Sequence, residues 1–203
     1  MFLMIRAILF DLGDTVFNPD WNSMNQAMIN EVGIPIIMPP HIKKVYGEEV
    51  LIGKRAMEDV FRMILAEHDK TISIEKVVLA YKKNYDKYAT LNDKMIDLID
   101  KLQNKIKIYA LSNTNKIHKE VNKQRRLFTH FEHVFLSCDM GIRKPDKRIY
   151  LLILDQLHVK PDEILFIDDN DENIQIAKSL SIKAIKYINY DSLISELKKL
   201  RLY

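Results

Sequence analysis

The 203-residue sequence has one cysteine, Cys138, and no apolar run long enough to cross a bilayer. A lone thiol cannot close an internal disulfide, so a disulfide-stapled secreted scaffold is excluded and a reducing, cytoplasmic setting is expected. The opening stretch, MFLMIRAILFDLGDT, is apolar but meets Asp11 after ten residues. It has neither the length of a spanning helix nor the small-residue cleavage site of a secretory signal. There are no internal repeats and no low-complexity linkers. Charge of one sign is scarce too: 31 Lys and Arg face 28 Asp and Glu, a net charge of +3, with the signs interspersed. That balance speaks against nucleic acid as an obligate partner, although lysine-rich stretches at 82–87 and 116–126 retain weak attraction for anions. No membrane partner is expected, and the chain reads as a monomer or weak homodimer.

What is present supports one α/β core with a modest insertion: 47% of the residues are apolar, enough for a sizeable interior. Short apolar runs lie at 3–12, 106–111, 133–136, 164–167 and 184–188, each separated from the next by a helix-length segment. That is the βαβ pattern of a parallel sheet covered on both faces, a Rossmann-like three-layer α/β/α core. Helices are expected at 92–104, with Asn92 as cap and Met95, Ile96, Ile99 and Leu102 as stripe, at 145–157 and at 171–180.

Residues 17–90 carry only helical signals. Pro19-Asp20 opens a helix that closes near Gly33, and Pro39-Pro40 opens another that ends by Gly53. Val60, Phe61, Ile64 and Leu65 recur at helical spacing, as do Val77, Val78 and Tyr81. The expected organisation is therefore a core of 1–16 and 91–203 with a small helical cap of 17–90 inserted after the first strand. The cap lies above the carboxyl ends of the strands, where open α/β sheets bind ligands.

Four motifs fall where strands end or helices begin. In Ile8-Leu9-Phe10-Asp11-Leu12-Gly13-Asp14-Thr15 an apolar strand runs into a carboxylate and a glycine turn; Asp11 either works in the crevice or caps the next segment. In Leu111-Ser112-Asn113-Thr114-Asn115 small hydrogen-bonding groups suit an oxyanion, or simply cap the following helix. In Gly141-Ile142-Arg143-Lys144-Pro145-Asp146, Pro145 fits a first helical turn. There the Lys144 ammonium either balances clustered carboxylates and a phosphate or marks a surface helix start. In Ile164-Leu165-Phe166-Ile167-Asp168-Asp169 a buried strand ends in adjacent carboxylates. Held together at a low-dielectric edge they repel and call for a cation, magnesium above all, unless the turn is exposed.

Taken in order, these four motifs resemble those of the haloacid dehalogenase superfamily across essentially the whole chain. LSNTNKIH, LSCDMGIRKPDKRIY and FIDDNDENI are similar to the bacterial α-D-glucose-1-phosphate phosphatase group and to the N-terminal phosphatase domain of soluble epoxide hydrolase. The resemblance implies a magnesium-dependent phosphohydrolase acting on a small phosphorylated metabolite. In it Asp11 forms an aspartyl-phosphate, Ser112 and Asn113 hold phosphoryl oxygens, and Lys144 neutralises charge. Asp11, Gly13 through its carbonyl, Asp168 and Asp169 hold Mg2+, with Asn173 orienting Asp169. Phosphoryl transfer, which is mostly positioning and charge stabilisation, asks for these parts.

The sequence departs from the family at Gly13, where most of its phosphatases carry a second aspartate as general acid. Asp14 or His118 could replace it. The favoured reading is a leaving oxygen that needs little protonation, as in a sugar 1-phosphate. Two rival readings remain: a metal-independent dehalogenase, and a phosphate-binding protein without turnover. Cys138 reads as a packed thiol. Trp21, Tyr46, Phe61 and Tyr81 read mostly as cap core, and the other five histidines have no metal-ligand spacing.

Overall fold

The computed structural model describes residues 5–203; positions 3 and 4 of the expected first strand lie outside them. Chain order begins β1 (Ala7–Phe10), β2 (Phe17–Pro19), α1 (Trp21–Val32), α2 (Pro40–Leu51), α3 (Met57–Glu67), α4 (Ile74–Tyr88), β3 (Ala89–Leu91) and α5 (Asp93–Gln103). It continues β4 (Lys107–Ser112), α6 (Lys116–Gln124), β5 (His133–Leu136), α7 (Ser137–Met140), α8 (Lys147–Leu157), β6 (Ile164–Asp168), α9 (Asp171–Ser179), β7 (Lys183–Lys186) and α10 (Tyr190–Lys199).

The main sheet has the order β5-β4-β1-β6-β7, with every pair parallel. Alternation along β1 sends Ile8 and Phe10 into a core shared with Leu98 of α5, Val121 of α6 and Leu193 of α10. Ala7 and Leu9 point the other way, to Ile153 of α8 and Ile174 of α9. Both faces are thus covered, and the strands read as continuous apolar runs for that reason. On α5 the buried stripe is Met95, Leu98, Ile99 and Leu102, with Ile96 at its margin. Leu98→Ala would cost about 2–5 kcal/mol, the usual price of emptying a packed leucine site.

Side-chain caps fix where the helices start. Asn92 accepts from the Met95 amide, Asn115 from that of His118, and Asn170 from those of Glu172 and Asn173. Asp146 accepts from the Arg148 amide, so α8 begins at Lys147. Pro145, expected in the first turn, instead stands before the cap.

A second correction concerns 17–90. Its ends are extended: β2 and β3 pair antiparallel, Phe17 opposite Leu91 and Pro19 opposite Ala89, in a ribbon that joins the four helices to the core. Three residues are too few to display a period of two, and the pairing joins segments about seventy positions apart. Within the ribbon's span α1 is capped by Asp20 and ends at Gly33, in the left-handed conformation that glycine adopts without penalty.

The end of α2 seats against the core near the site. Gly53 has φ +72°, and a side chain there would overlap the carbonyl of Cys138, so only glycine fits. Nearby, the Ser137 hydroxyl donates to the Leu51 carbonyl at 2.6 Å and accepts from the Thr114 amide at 2.9 Å. A single buried side chain thereby ties α2 to the loop after β4.

Candidate active site

The register of the sheet assembles the site. Leu9 lies opposite Phe166, and Asp11 continues the ladder by donating its amide to Ile167 at 2.8 Å. Two residues beyond Leu9 and Phe166, Asp11 and Asp168 therefore stand side by side on the face that carries α8 and α9. Lys144, from the loop before α8, enters between them. Its ammonium bonds Asp11 Oδ1 and lies 2.6 Å from Asp168 Oδ2. All three are buried, at 7% exposure for Asp11, 2% for Lys144 and 0% for Asp168.

Neighbouring groups hold this triad in place. Thr15, fully buried, donates to Asp11 Oδ2 at 3.4 Å. Asn173 Nδ2 reaches both Asp168 oxygens, at 3.0 and 3.1 Å, and the Asn170 amide reaches Oδ1 at 2.8 Å. Asn173 thus orients Asp168, not Asp169 as expected, because it projects from the first turn of α9 back under the strand end. Asn113 clamps the Lys144 backbone both ways: Nδ2 donates to its carbonyl at 2.8 Å and Oδ1 accepts from its amide at 2.9 Å. Its side chain is therefore engaged, leaving its main chain for any phosphoryl oxygen.

Above the triad is a cavity of about 250 Å³ whose walls include Asp11, Gly13, Ser112, Asn113, Lys144 and Asp169. Asp14, Asn173 and His118 also reach it, whereas Asp168 does not. Both Asp168 and Asp169 are expected from sequence at the metal; the structure instead turns Asp168 toward Lys144 and leaves only Asp169 at the cavity wall. The Ser112 hydroxyl has no protein partner among the described residues.

Electrostatics follow from burial and crowding. Burial pushes the Asp11 carboxyl up to about 7; Lys144 pulls it down, while Asp168 and Asp169 push it further up. Burial works against the Lys144 charge, but Asp11 and Asp168 outweigh it and hold the ammonium above the usual lysine range. Asp169 is raised by burial and by Asp168, and it forms no ion pair among the described residues. Three carboxylates share one ammonium, an excess of negative charge that a hard cation relieves. Among the described residues no three His, Cys, Asp or Glu side chains form a ready cage. Asp11 and Asp169 with the Gly13 main chain nevertheless suit magnesium, which takes one or two carboxylates and fills its octahedron with water and substrate oxygens.

Sequence reasoning missed an aromatic group beside the cavity. His118 stacks on Tyr85 at 3.8 Å between ring centres and on Trp21 at 5.8 Å, and its Nε2 is hydrogen-bonded to the Tyr81 hydroxyl at 2.7 Å. Burial, then Arg125, pushes the imidazole down to about 3, so it is neutral and unsuited to donate a proton near neutral pH. Helical spacing made Tyr81 look like plain cap core; only tertiary packing reveals the group. Cys138 is a buried thiol, pushed up to about 11 by burial and Asp139, as a packed residue should be.

Comparison with known proteins agrees with this geometry. A family model for haloacid dehalogenase-like hydrolases matches residues 5–180. D-ribitol-5-phosphate phosphatase of Bacteroides thetaiotaomicron is 24% identical over 193 residues, covering 90% of this chain and 92% of that protein. Bifunctional epoxide hydrolase 2 of Mus musculus is 37% identical over 73 residues, 36% of this chain. The chain spans 13% to 35% of the length of the first curated relatives it matches. Among solved structures, a haloacid dehalogenase family enzyme of Bacteroides thetaiotaomicron in complex with magnesium and inorganic phosphate superposes with TM-score 0.75 at 21% identity, over 93% of this chain and 98% of that one. No helix among the described residues is long and apolar enough to cross a membrane. With the four motifs meeting at one sheet edge and the family model covering most of its length, the chain belongs to the haloacid dehalogenase-like hydrolases, a family whose members similar to it include phosphatases.

Proposed function

We propose that this protein is a magnesium-dependent, cytoplasmic phosphohydrolase that acts on a small phosphorylated metabolite through an aspartyl-phosphate on Asp11. The observation that carries this reading is Lys144, buried between Asp11 and Asp168 at the floor of a cavity that Ser112 and Asp169 also line. The phosphatase relative and the fold neighbour with magnesium and phosphate support the same chemistry.

Asp11 attacks phosphorus along the line of the leaving oxygen, and water then releases phosphate from the carboxyl carbon–oxygen–phosphorus linkage. Lys144 offsets the charge that gathers on Asp11 and on the phosphoryl oxygens, and Asp168 keeps its ammonium aimed there. Ser112 donates to one phosphoryl oxygen, with the Asn113 main chain beside it. Asp11, Asp169 and the Gly13 carbonyl would hold magnesium, which when bound would supply Lewis-acid stabilisation of phosphoryl charge. Asp168, assigned to the metal from sequence, serves as the lysine's counter-ion.

Gly13 offers no acid to the leaving group, and neutral His118 does not replace it. The substrate therefore leaves through an oxygen acidic enough to depart with little help, and the anomeric oxygen of a sugar 1-phosphate and a phenolic oxygen both qualify. Phosphate release from p-nitrophenyl phosphate and a phosphometabolite panel, with and without magnesium, tests the reading. Full activity in EDTA overturns the metal assignment, and absence of any phosphate release overturns the function.

A further inference from the structure

A second cavity, about 470 Å³, opens between α2 and the core, and it meets the phosphate cavity at Trp21 and His118, which line both. Its volume is that of a small-molecule site. A group esterified to a phosphate on Asp11 has this space as its continuation.

The walls carry three kinds of chemistry. Trp21, Tyr81 and His118 line it with aromatic rings that stack on one another, and Trp21, 40% exposed, keeps ring surface open to a ligand. Ile36, Leu51 and Met57 add apolar lining. At the rim stand Lys43, Lys44 and Arg143, opposed by one acid, Glu48. Arg143 donates to the Lys144 carbonyl at 3.0 Å through Nη1, while its Nε is buried without a partner. That nitrogen is sealed from the cavity, and Arg143 contributes there as a fixed positive charge.

We infer that the leaving group is aromatic and carries a second anionic group: an aryl phosphate monoester with a carboxylate on its ring system. This rests on the phosphohydrolase reading and narrows it. The exposed Trp21 ring suits an aromatic group by stacking and apolar contact, where a sugar would leave its hydroxyls unmatched against Ile36 and Met57. The basic rim suits the carboxylate. The missing acid at Gly13 fits as well, since a phenol ionises near 10, far below an alcohol. In the step itself an Asp11 oxygen bonds phosphorus as the bond from phosphorus to the aryl oxygen breaks. The aryloxide departs with that electron pair and takes a proton from water. Water then splits the aspartyl-phosphate into Asp11 and inorganic phosphate.

The test compares phenyl, 2-naphthyl and 6-carboxy-2-naphthyl phosphates with glucose 1-phosphate, in magnesium. Phenol and 2-naphthol are of similar acidity, so their ratio reads the cavity and not the leaving group. The expected kcat/KM rises about tenfold from phenyl to naphthyl, roughly the effect of 1.4 kcal/mol of added contact, and rises again with the carboxylate. In the double variant Lys43→Glu, Lys44→Glu, two exposed sites, the ratio of carboxylated to plain naphthyl ester falls. Trp21 is the sole tryptophan. Its emission therefore reads occupancy without turnover, and 2-naphthylmethylphosphonate should bind at least tenfold tighter than methylphosphonate. Equal rates for phenyl and naphthyl esters, a ratio unmoved in the double variant, or preference for glucose 1-phosphate overturns the inference while leaving phosphatase activity intact. No phosphate from any ester overturns the catalytic reading; a shift in Trp21 emission with the naphthyl phosphonate alone then still supports an aryl site.

Discussion

Asp168 Oδ2 lies 2.6 Å from Lys144 Nζ, and the carboxylate is fully buried behind the cavity wall. Asp168 therefore acts on the substrate only through Lys144. Lys144 keeps Asp11 when Asp168 is removed, but the buried Asn173 Nδ2 loses its acceptor, and an orphaned buried donor typically costs about 1–3 kcal/mol. Asp168→Ala should lose stability of that order in urea unfolding, with kcat falling as Lys144 loses its aim. A stability change under about 0.5 kcal/mol, the range of ordinary surface substitutions, would remove Asp168 from this position.

Asp11→Asn should behave oppositely. The amide relieves crowding among Asp11, Asp168 and Asp169 while keeping an oxygen for Lys144, so the fold is retained or strengthened. Turnover should vanish, because an amide forms no acyl phosphate. Wild-type phosphate release from a correctly folded Asp11→Asn protein would contradict covalent catalysis.

Gly13 links the substrate to leaving-group acidity. Esters of acidic hydroxyls, including sugar 1-phosphates, should turn over faster than 6-phosphates of the same sugars, compared over several sugars. A Cβ at position 13 meets nothing within 4 Å, so Gly13→Asp has room and should raise activity on 6-phosphates. Asp14→Ala should matter little. A loss of about a hundredfold in kcat for that variant, at unchanged fold, would make Asp14 the general acid and refute this account.

His118 gives a pH signature. In the fold its imidazole is pushed from 6.5 down to about 3. Above pH 6.5 it is neutral folded or unfolded and adds no slope. Below that, the unfolded chain binds a proton that the folded one refuses, so stability falls as pH drops from 6.5 toward 3. Between pH 7 and 5 the loss attributable to His118 should be on the order of 1 kcal/mol, allowing for partial exposure of the ring. His118→Phe, which keeps a stacking ring, should flatten that decline in urea titrations. An unchanged slope would show the imidazole to be protonated in the fold.

Much of this was legible in the chain because it is local. Strands on both sides of Asp11 and Asp168 are short apolar runs, and Asn92, Asn115 and Asn170 mark helix starts. What was not legible depends on pairing across distance. The β2–β3 ribbon joins residues about seventy positions apart. Whether Asp168 or Asp169 meets the cavity depends on where β6 stops alternating and on Lys144 arriving from another loop. Thr15 lay in view within the first motif, but its bond to Asp11 required the turn's geometry. The Trp21, Tyr81 and His118 group unites α1, α4 and α6, and no single segment signals it.

The Ser137 hydroxyl, bonded at once to Leu51 and Thr114, has a thermodynamic consequence. Occupation of the loop at Ser112–Thr114 and seating of α2 share a side chain, and any free energy by which one favours the other acts equally in reverse. Inorganic phosphate should then slow amide exchange at the end of α2, one hydroxyl away from the loop it occupies. Ser137→Ala should abolish that protection and weaken phosphate binding by an equal factor. Affinity for the small anion and closure over the larger leaving group would thus be one reciprocal equilibrium, read at either end.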